Sequence, residues 1–131
     1  MDSIKVVCGL IFKDDKVFVC RRLPHKSFGG YWEFPGGKVE SNETEESCLL
    51  RELKEELDMN VEVISYFHTS EYQTKDLMIS LSGFLCRFLE SSYSLTDHDA
   101  YKWIKPADLT TIRLAPADME IARRIMVLSK G

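Results

Sequence analysis

The hydrophobic pattern changes period along the chain. Ile4 to Phe12 is a run of apolar and β-branched residues and predicts a strand. Asp14-Asp15 marks a turn, and Lys16 to Cys20 predicts a second strand that completes a hairpin. Leu23 to Gly30, with Pro24 and Gly29-Gly30, predicts a loop. Tyr31 to Phe34 predicts a short aromatic strand stopped by Pro35-Gly36-Gly37. The period then becomes helical. Thr44 is a predicted N-cap, Glu45 and Glu46 suit the first turn, and the helix should reach about Leu57. Leu49, Leu50, Leu53 and Leu57 recur at three- and four-residue spacings and predict one buried stripe. Val61 to Tyr72 and Leu77 to Phe88 predict two longer strands, and Ala100 to Ile104 a short one containing Trp103. Pro106-Ala107-Asp108 begins a turn or short helix. Pro116 suits the first position of a last helix through Ile121, Ile125 and Leu128. Strands and helices mix without strict βαβ alternation. The expected class is therefore α+β, an α/β/α sandwich with a mixed sheet between helices.

Composition adds limits. A chain of 131 residues, 44% hydrophobic and 29% charged, suits one globular domain spanning 1–131. No apolar run is long enough for a membrane span, and the first residues lack a basic region followed by an apolar stretch. A net charge of −4 argues against a nucleic-acid polymer as partner but leaves room for a small phosphorylated ligand. Cys8, Cys20, Cys48 and Cys86 form no CxxC pair and sit among apolar residues, so buried free thiols in a reducing cytoplasm are expected.

The chemistry concentrates between Gly36 and Met59. Glu52, Glu55 and Glu56 share one helix side within about 100° of arc. Such an array is either a solvated face balanced by Arg51 and Lys54 or a site for a hard divalent cation. Oxygen ligands of this kind suit Mg²⁺, with Mn²⁺ as a substitute. The preceding Phe34-Pro35-Gly36-Gly37-Lys38 is expected to bring a flexible backbone against the helix, as a ligand or metal would require.

The spacing resembles the Nudix box. From Gly37, five residues lead to Glu43, and seven more lead to Arg51-Glu52-Leu53-Lys54-Glu55-Glu56-Leu57-Asp58-Met59. Asp58 stands where the family carries a helix-closing Gly, and Asp tolerates the left-handed conformation that position needs. Tyr31 to Glu40, Asp97-His98 before Trp103, and Leu114 to Asp118 resemble the MutT-type branch and, within it, the bacterial CTP pyrophosphohydrolases. The resemblance implies a mixed sheet between helices and a Mg²⁺-dependent hydrolase that splits a nucleoside triphosphate into monophosphate and pyrophosphate, a nucleotide-pool cleansing activity of the kind grouped with DNA repair.

It also implies roles. Glu52, Glu55 and Glu56 would bind metal, with a carbonyl of Gly36 or Gly37 as a further ligand. Arg51 would orient a carboxylate, with Glu43 as its partner. Asp97, with Asp99 as runner-up, would be an additional metal ligand or general base, or else a loop acid capping a turn. His98 is expected to be structural or exposed. Arg22 and Lys38 would meet the substrate and its phosphates, and Phe34 would stack beside the base or belong to the core. Asp118 would read the base or cap the last helix. Ionised, it would accept a hydrogen bond from the cytosine amino group, so a (d)CTP or modified-cytosine substrate is expected. Oxidised dGTP is the runner-up substrate. ADP-ribose or dinucleoside polyphosphate hydrolysis and a non-catalytic binding module are the rival readings. The oligomeric state is left open.

Overall fold

The computed structural model describes residues 2–130. Strands β1 (Asp2–Lys13) and β2 (Lys16–Arg22) form the expected hairpin, followed by β3 (Trp32–Glu33) and β4 (Gly36–Lys38). Helix α1 (Glu45–Leu57) leads into the long hairpin of β5 (Met59–Gln73) and β6 (Leu77–Ser91). Strand β7 (His98–Ile104), a 3-10 turn (Pro106–Thr111) and helix α2 (Pro116–Lys130) complete the chain. The sheet order is β3-β2-β1-β6-β5, with β4 on β1 and β7 on β2. β1 and β6 run parallel over eleven paired positions from Asp2↔Leu77 to Phe12↔Arg87, whereas the other pairs are antiparallel. The sheet is thus mixed and lies between helices, as the sequence predicts.

Period-two alternation explains why β1 and β2 read as near-continuous apolar runs: both faces are covered. Val7, Ile11, Phe18 and Cys20 point into the core under α1. Cys8, Leu10, Val17 and Val19 point into the core under α2 and the 3-10 turn. All four cysteines are buried and free, as expected. Burial raises their thiol pKa values, to about 12 for Cys48 and Cys86.

Five details correct the sequence reading. Gly36-Gly37-Lys38 is not a flexible loop but strand β4, paired antiparallel with Val6–Cys8 of β1. The Gly9 amide donates to the Pro35 carbonyl at 2.8 Å, and the Val39 amide to the Lys5 carbonyl at 3.0 Å, so both ends of the segment are pinned. Leu50 is 44% exposed, whereas Cys48, Leu49, Leu53 and Leu57 are buried. A helical rotation of about 100° from Leu49 carries Leu50 beyond Leu57 and out of the stripe. Leu128 is likewise exposed, while Ile121 and Ile125 are buried. The third strand is confined to Trp32–Glu33, and β7 begins two residues earlier than expected, at His98.

Candidate active site

Helix α1 opens at Thr44, whose hydroxyl accepts from the Ser47 amide at 3.1 Å while Ser47 Oγ accepts from the Thr44 amide, a reciprocal capping box. It closes on Asp58 at φ 51°, the left-handed conformation expected there. The Asp58 carboxylate pairs with Lys54 at 2.7 Å and accepts from Ser92 Oγ at 2.9 Å. Polar partners of this kind help a non-glycine residue hold that conformation.

Between these caps, rotation sorts the three acids. Counted from Cys48, Glu52 and Glu56 fall at about 40° and 80° and Leu49 at about 100°, so two carboxylates lie inside the arc that faces the sheet. Glu55 falls outside it. Accordingly Glu52 is 15% exposed at its side chain and Glu55 59%. Glu52 lies against β4 so closely that a Cβ on Gly37 would overlap its carboxylate. Gly37 is thus required for a close approach rather than for flexibility.

Arg51 organises the acids. Its guanidinium donates to both oxygens of Glu43, at 2.6 and 3.0 Å, to Glu52 Oε1 at 2.7 Å and to Glu55 Oε2 at 3.2 Å. The Arg51 hydrogen bonds, with a further one from the Glu40 amide, hold Glu43 at a pKa of about 2. Glu56 is the opposite case. Desolvation, a hydrogen bond with Asp97 and the negative charge of Glu52 push its pKa up to about 9. Burial pulls Asp97 upward too, but Lys26, with Nζ 3.1 Å from Asp97 Oδ1, and the bond to Glu56 overcome it and leave Asp97 below its ordinary value. The surroundings therefore favour the protonated form of Glu56 and the ionised form of Asp97.

That arrangement fits a hard divalent cation. Glu52, Glu56 and Asp97 are oxygen donors drawn together, with Arg51 on Glu52 and Lys26 on Asp97 as counter-charges, and a metal would displace the proton that burial favours on Glu56. A second group, Cys20, Glu33 and His98, places possible ligand atoms within 4.8 Å of one another. Glu33 is already engaged there, by Arg22 Nη1 at 3.3 Å and His98 Nε2 at 2.8 Å.

Beside the acids lies a cavity of about 320 Å³ lined by Arg22, Glu33, Phe34, Gly36, Gly37 and Asp118, among others. β3 positions its polar wall. The Trp32 amide donates to the Arg113 carbonyl at 2.7 Å and the Ala115 amide to the Trp32 carbonyl at 2.9 Å, tying β3 to the approach of α2. Asp118, in the first turn of α2, consequently accepts from the Phe34 amide at 2.9 Å. The Asp118 side chain caps β3's continuation rather than its own helix. It is 6% exposed, and burial and then the charge of Glu33 raise its pKa well above the ordinary carboxylate range. Burial thus favours the protonated form of Asp118 more than the sequence suggested.

The structure brings the anticipated residues to one region in two groups. Glu43, Arg51, Glu52, Glu55, Glu56 and Asp97 form the acid face, and Arg22, Phe34 and Asp118 the cavity, with Gly36 and Gly37 between them. Lys38 is exposed at the end of β4. Phe34 is 2% exposed and belongs to the core under α2 while also lining the cavity. Asp99 is drawn away by Arg21 at 2.7 Å. The sequence reading missed Glu33, although it lies inside the quoted Tyr31–Glu40 segment. It also missed the cavity residues Phe28 and Tyr72, which no local pattern marks, while His98, expected to be structural or exposed, is buried at 3% exposure.

Comparison with known proteins agrees with this geometry. A family model described as the NUDIX domain matches residues 3–126. The CTP pyrophosphohydrolase of Escherichia coli (strain K12) is 31% identical over 128 residues, covering 98% of this chain and 95% of that protein. The 8-oxo-dGTP diphosphatase of Proteus vulgaris is 44% identical over 84 residues, covering 63% of this chain and 75% of its own. The solution structure of the E. coli ORF135 protein superposes with a TM-score of 0.82 at 31% identity, covering 98% of this chain and 92% of that one.

Proposed function

The chain belongs to the Nudix family and is a hydrolase that acts on nucleotides, and from that premise we propose that it is a Mg²⁺-dependent nucleoside triphosphate pyrophosphohydrolase that prefers cytosine nucleotides, including modified ones. One observation carries the reading. The cavity that suits a base is lined in part by Gly36 and Gly37, and Gly37 abuts Glu52 of the acid face. A base in the cavity therefore brings its phosphates to the carboxylates.

Nudix hydrolases generally use divalent metals. Here Glu52, Glu55, Glu56 and Asp97, with a carbonyl of Gly36 or Gly37, would hold Mg²⁺ or Mn²⁺. Such a metal neutralises phosphate charge and activates water. Arg51 holds Glu52 in place through its 2.7 Å hydrogen bond, and Glu43 holds Arg51. Lys38 offers a point charge to the phosphates.

The cytosine preference rests on Asp118 and on the named activity of the E. coli relative. A carboxyl oxygen accepts a hydrogen bond from the 4-amino group of cytosine in either protonation state. The Proteus relative's name favours oxidised dGTP as the second reading. The whole chain, 1–131, is taken as one domain. No helix of the described residues is long and apolar enough to cross a membrane, and the four buried free thiols suit the cytoplasm. Pyrophosphate release should be measured on canonical, oxidised and 5-substituted triphosphates, ADP-ribose and dinucleoside polyphosphates, with Mg²⁺ and with chelator. Mg²⁺-dependent release with the highest kcat/KM on cytosine forms is expected. Equal kcat/KM across the bases would remove the cytosine preference, and cleavage of ADP-ribose or dinucleotides alone would overturn the substrate class.

A further inference from the structure

Building on the reading of this chain as a triphosphate hydrolase, we propose that Lys26 is a phosphate-binding residue that exchanges its ion pair with Asp97 for the polyphosphate of an incoming nucleotide. The segment that carries it is tightly built. The Lys26 amide donates to the Leu23 carbonyl at 3.1 Å, Gly29 to Lys26 at 2.8 Å, Gly30 to Arg22 at 2.9 Å and Tyr31 to Phe28 at 3.1 Å. The Leu23 amide donates to the Asp97 carbonyl at 3.2 Å, which fixes the segment against the acid face. Phe28 sits at φ 56°, a conformation costly for a bulky residue unless its surroundings enforce it. Its ring meets Tyr31 and Tyr72 edge-on at 5.9 and 6.2 Å and lines the cavity. Two residues away, Lys26 Nζ reaches Asp97, which is hydrogen-bonded to Glu56. The ammonium thus stands at the junction of cavity and acid face, where the phosphates must pass.

Its neighbours are committed elsewhere. Arg22 donates to the Ser27 carbonyl at 2.7 Å and pairs with Glu33, and Arg51 is held by Glu43 and Glu52. Lys26 is different. Its side chain is 37% exposed and Asp97 is 32% exposed, so their ion pair is a solvent-screened one that contributes little and is easily exchanged. An ammonium has three donors on a flexible stem, and a polyphosphate offers it more negative charge than one carboxylate.

The test compares Lys26→Met and Lys26→Arg with the wild type by titration calorimetry of the intact chain. The ligands are the α,β-methylene analogue of the best-cleaved triphosphate and its parent nucleoside, without turnover. Lys26→Met should weaken the analogue by about tenfold while nucleoside affinity stays within about twofold, and Lys26→Arg should recover most of the loss. Equal losses for both ligands would show that Lys26 merely holds the Phe28 segment, and no loss for the analogue would also overturn the proposal. A wild type that cleaves and binds no triphosphate would instead bring down the underlying activity, a result visible before any variant is made.

Discussion

Replacing Glu56 by glutamine should stabilise the metal-free protein at neutral pH and abolish turnover, two effects with one cause. Burial beside Asp97 and Glu52 raises the Glu56 pKa from 4.5 to about 9. The group's contribution to stability is therefore full below its unfolded value of 4.5 and is lost as pH rises toward 9. At about pH 7.5 the folded chain must keep a proton that the unfolded chain releases, at a cost of up to about 4 kcal/mol. Part of Glu56 is open to solvent and its titration is shared with Asp97, so about 1–3 kcal/mol is the expected gain on removing the charge. Glutamine keeps the size and a donor for Asp97 but has no proton to lose. Urea unfolding with chelator should then show the variant more stable than wild type at about pH 7.5 and equal to it near pH 4.5. With Mg²⁺ present, kcat should fall by orders of magnitude, because a metal ligand is gone. The same stability difference at both pH values, or a loss of stability at the higher one, would refute the assignment of the proton to Glu56.

The two glycines of β4 should separate function from folding. Gly37→Ala directs a Cβ into the movable Glu52 carboxylate and should cut kcat by about a hundredfold, with little change in Tm. Gly36→Ala directs one into the Val7 carbonyl, which the sheet holds, and should destabilise the protein by about 1–3 kcal/mol in denaturant unfolding. At the acid end, Glu43 is held at about 2 by Arg51, so its contribution is present above pH 4.5 and lost as pH falls through about 2. Glu43→Gln should accordingly unfold with a shallower pH dependence than wild type between about pH 5 and 2, followed by circular dichroism.

The strands under both helices, the caps at Thr44 and Asp58 and the spacing of Glu43, Arg51, Glu52 and Glu56 were legible in the chain, because each depends on local chemistry and period. Two-fold alternation marks a strand and Thr44 before two glutamates marks a helix start, whereas the left-handed cap at Asp58 and the five- and seven-residue spacing from Gly37 were legible through the resemblance to the Nudix box. What the period could not reveal is which of the acids face inward. Glu52, Glu55 and Glu56 look equivalent on paper, and only the position of the sheet exposes Glu55 and half-buries the other two. The same holds for Asp118, whose pKa is raised first by burial and then by Glu33, 85 positions earlier. Lys26 and Asp97, or Phe28 and Tyr72, meet only through the fold. Local sequence specifies which residues can do the chemistry, whereas desolvation and charge coupling arise between distant segments, and so the raised pKa of Glu56 and the shape of the cavity belong to the tertiary structure alone.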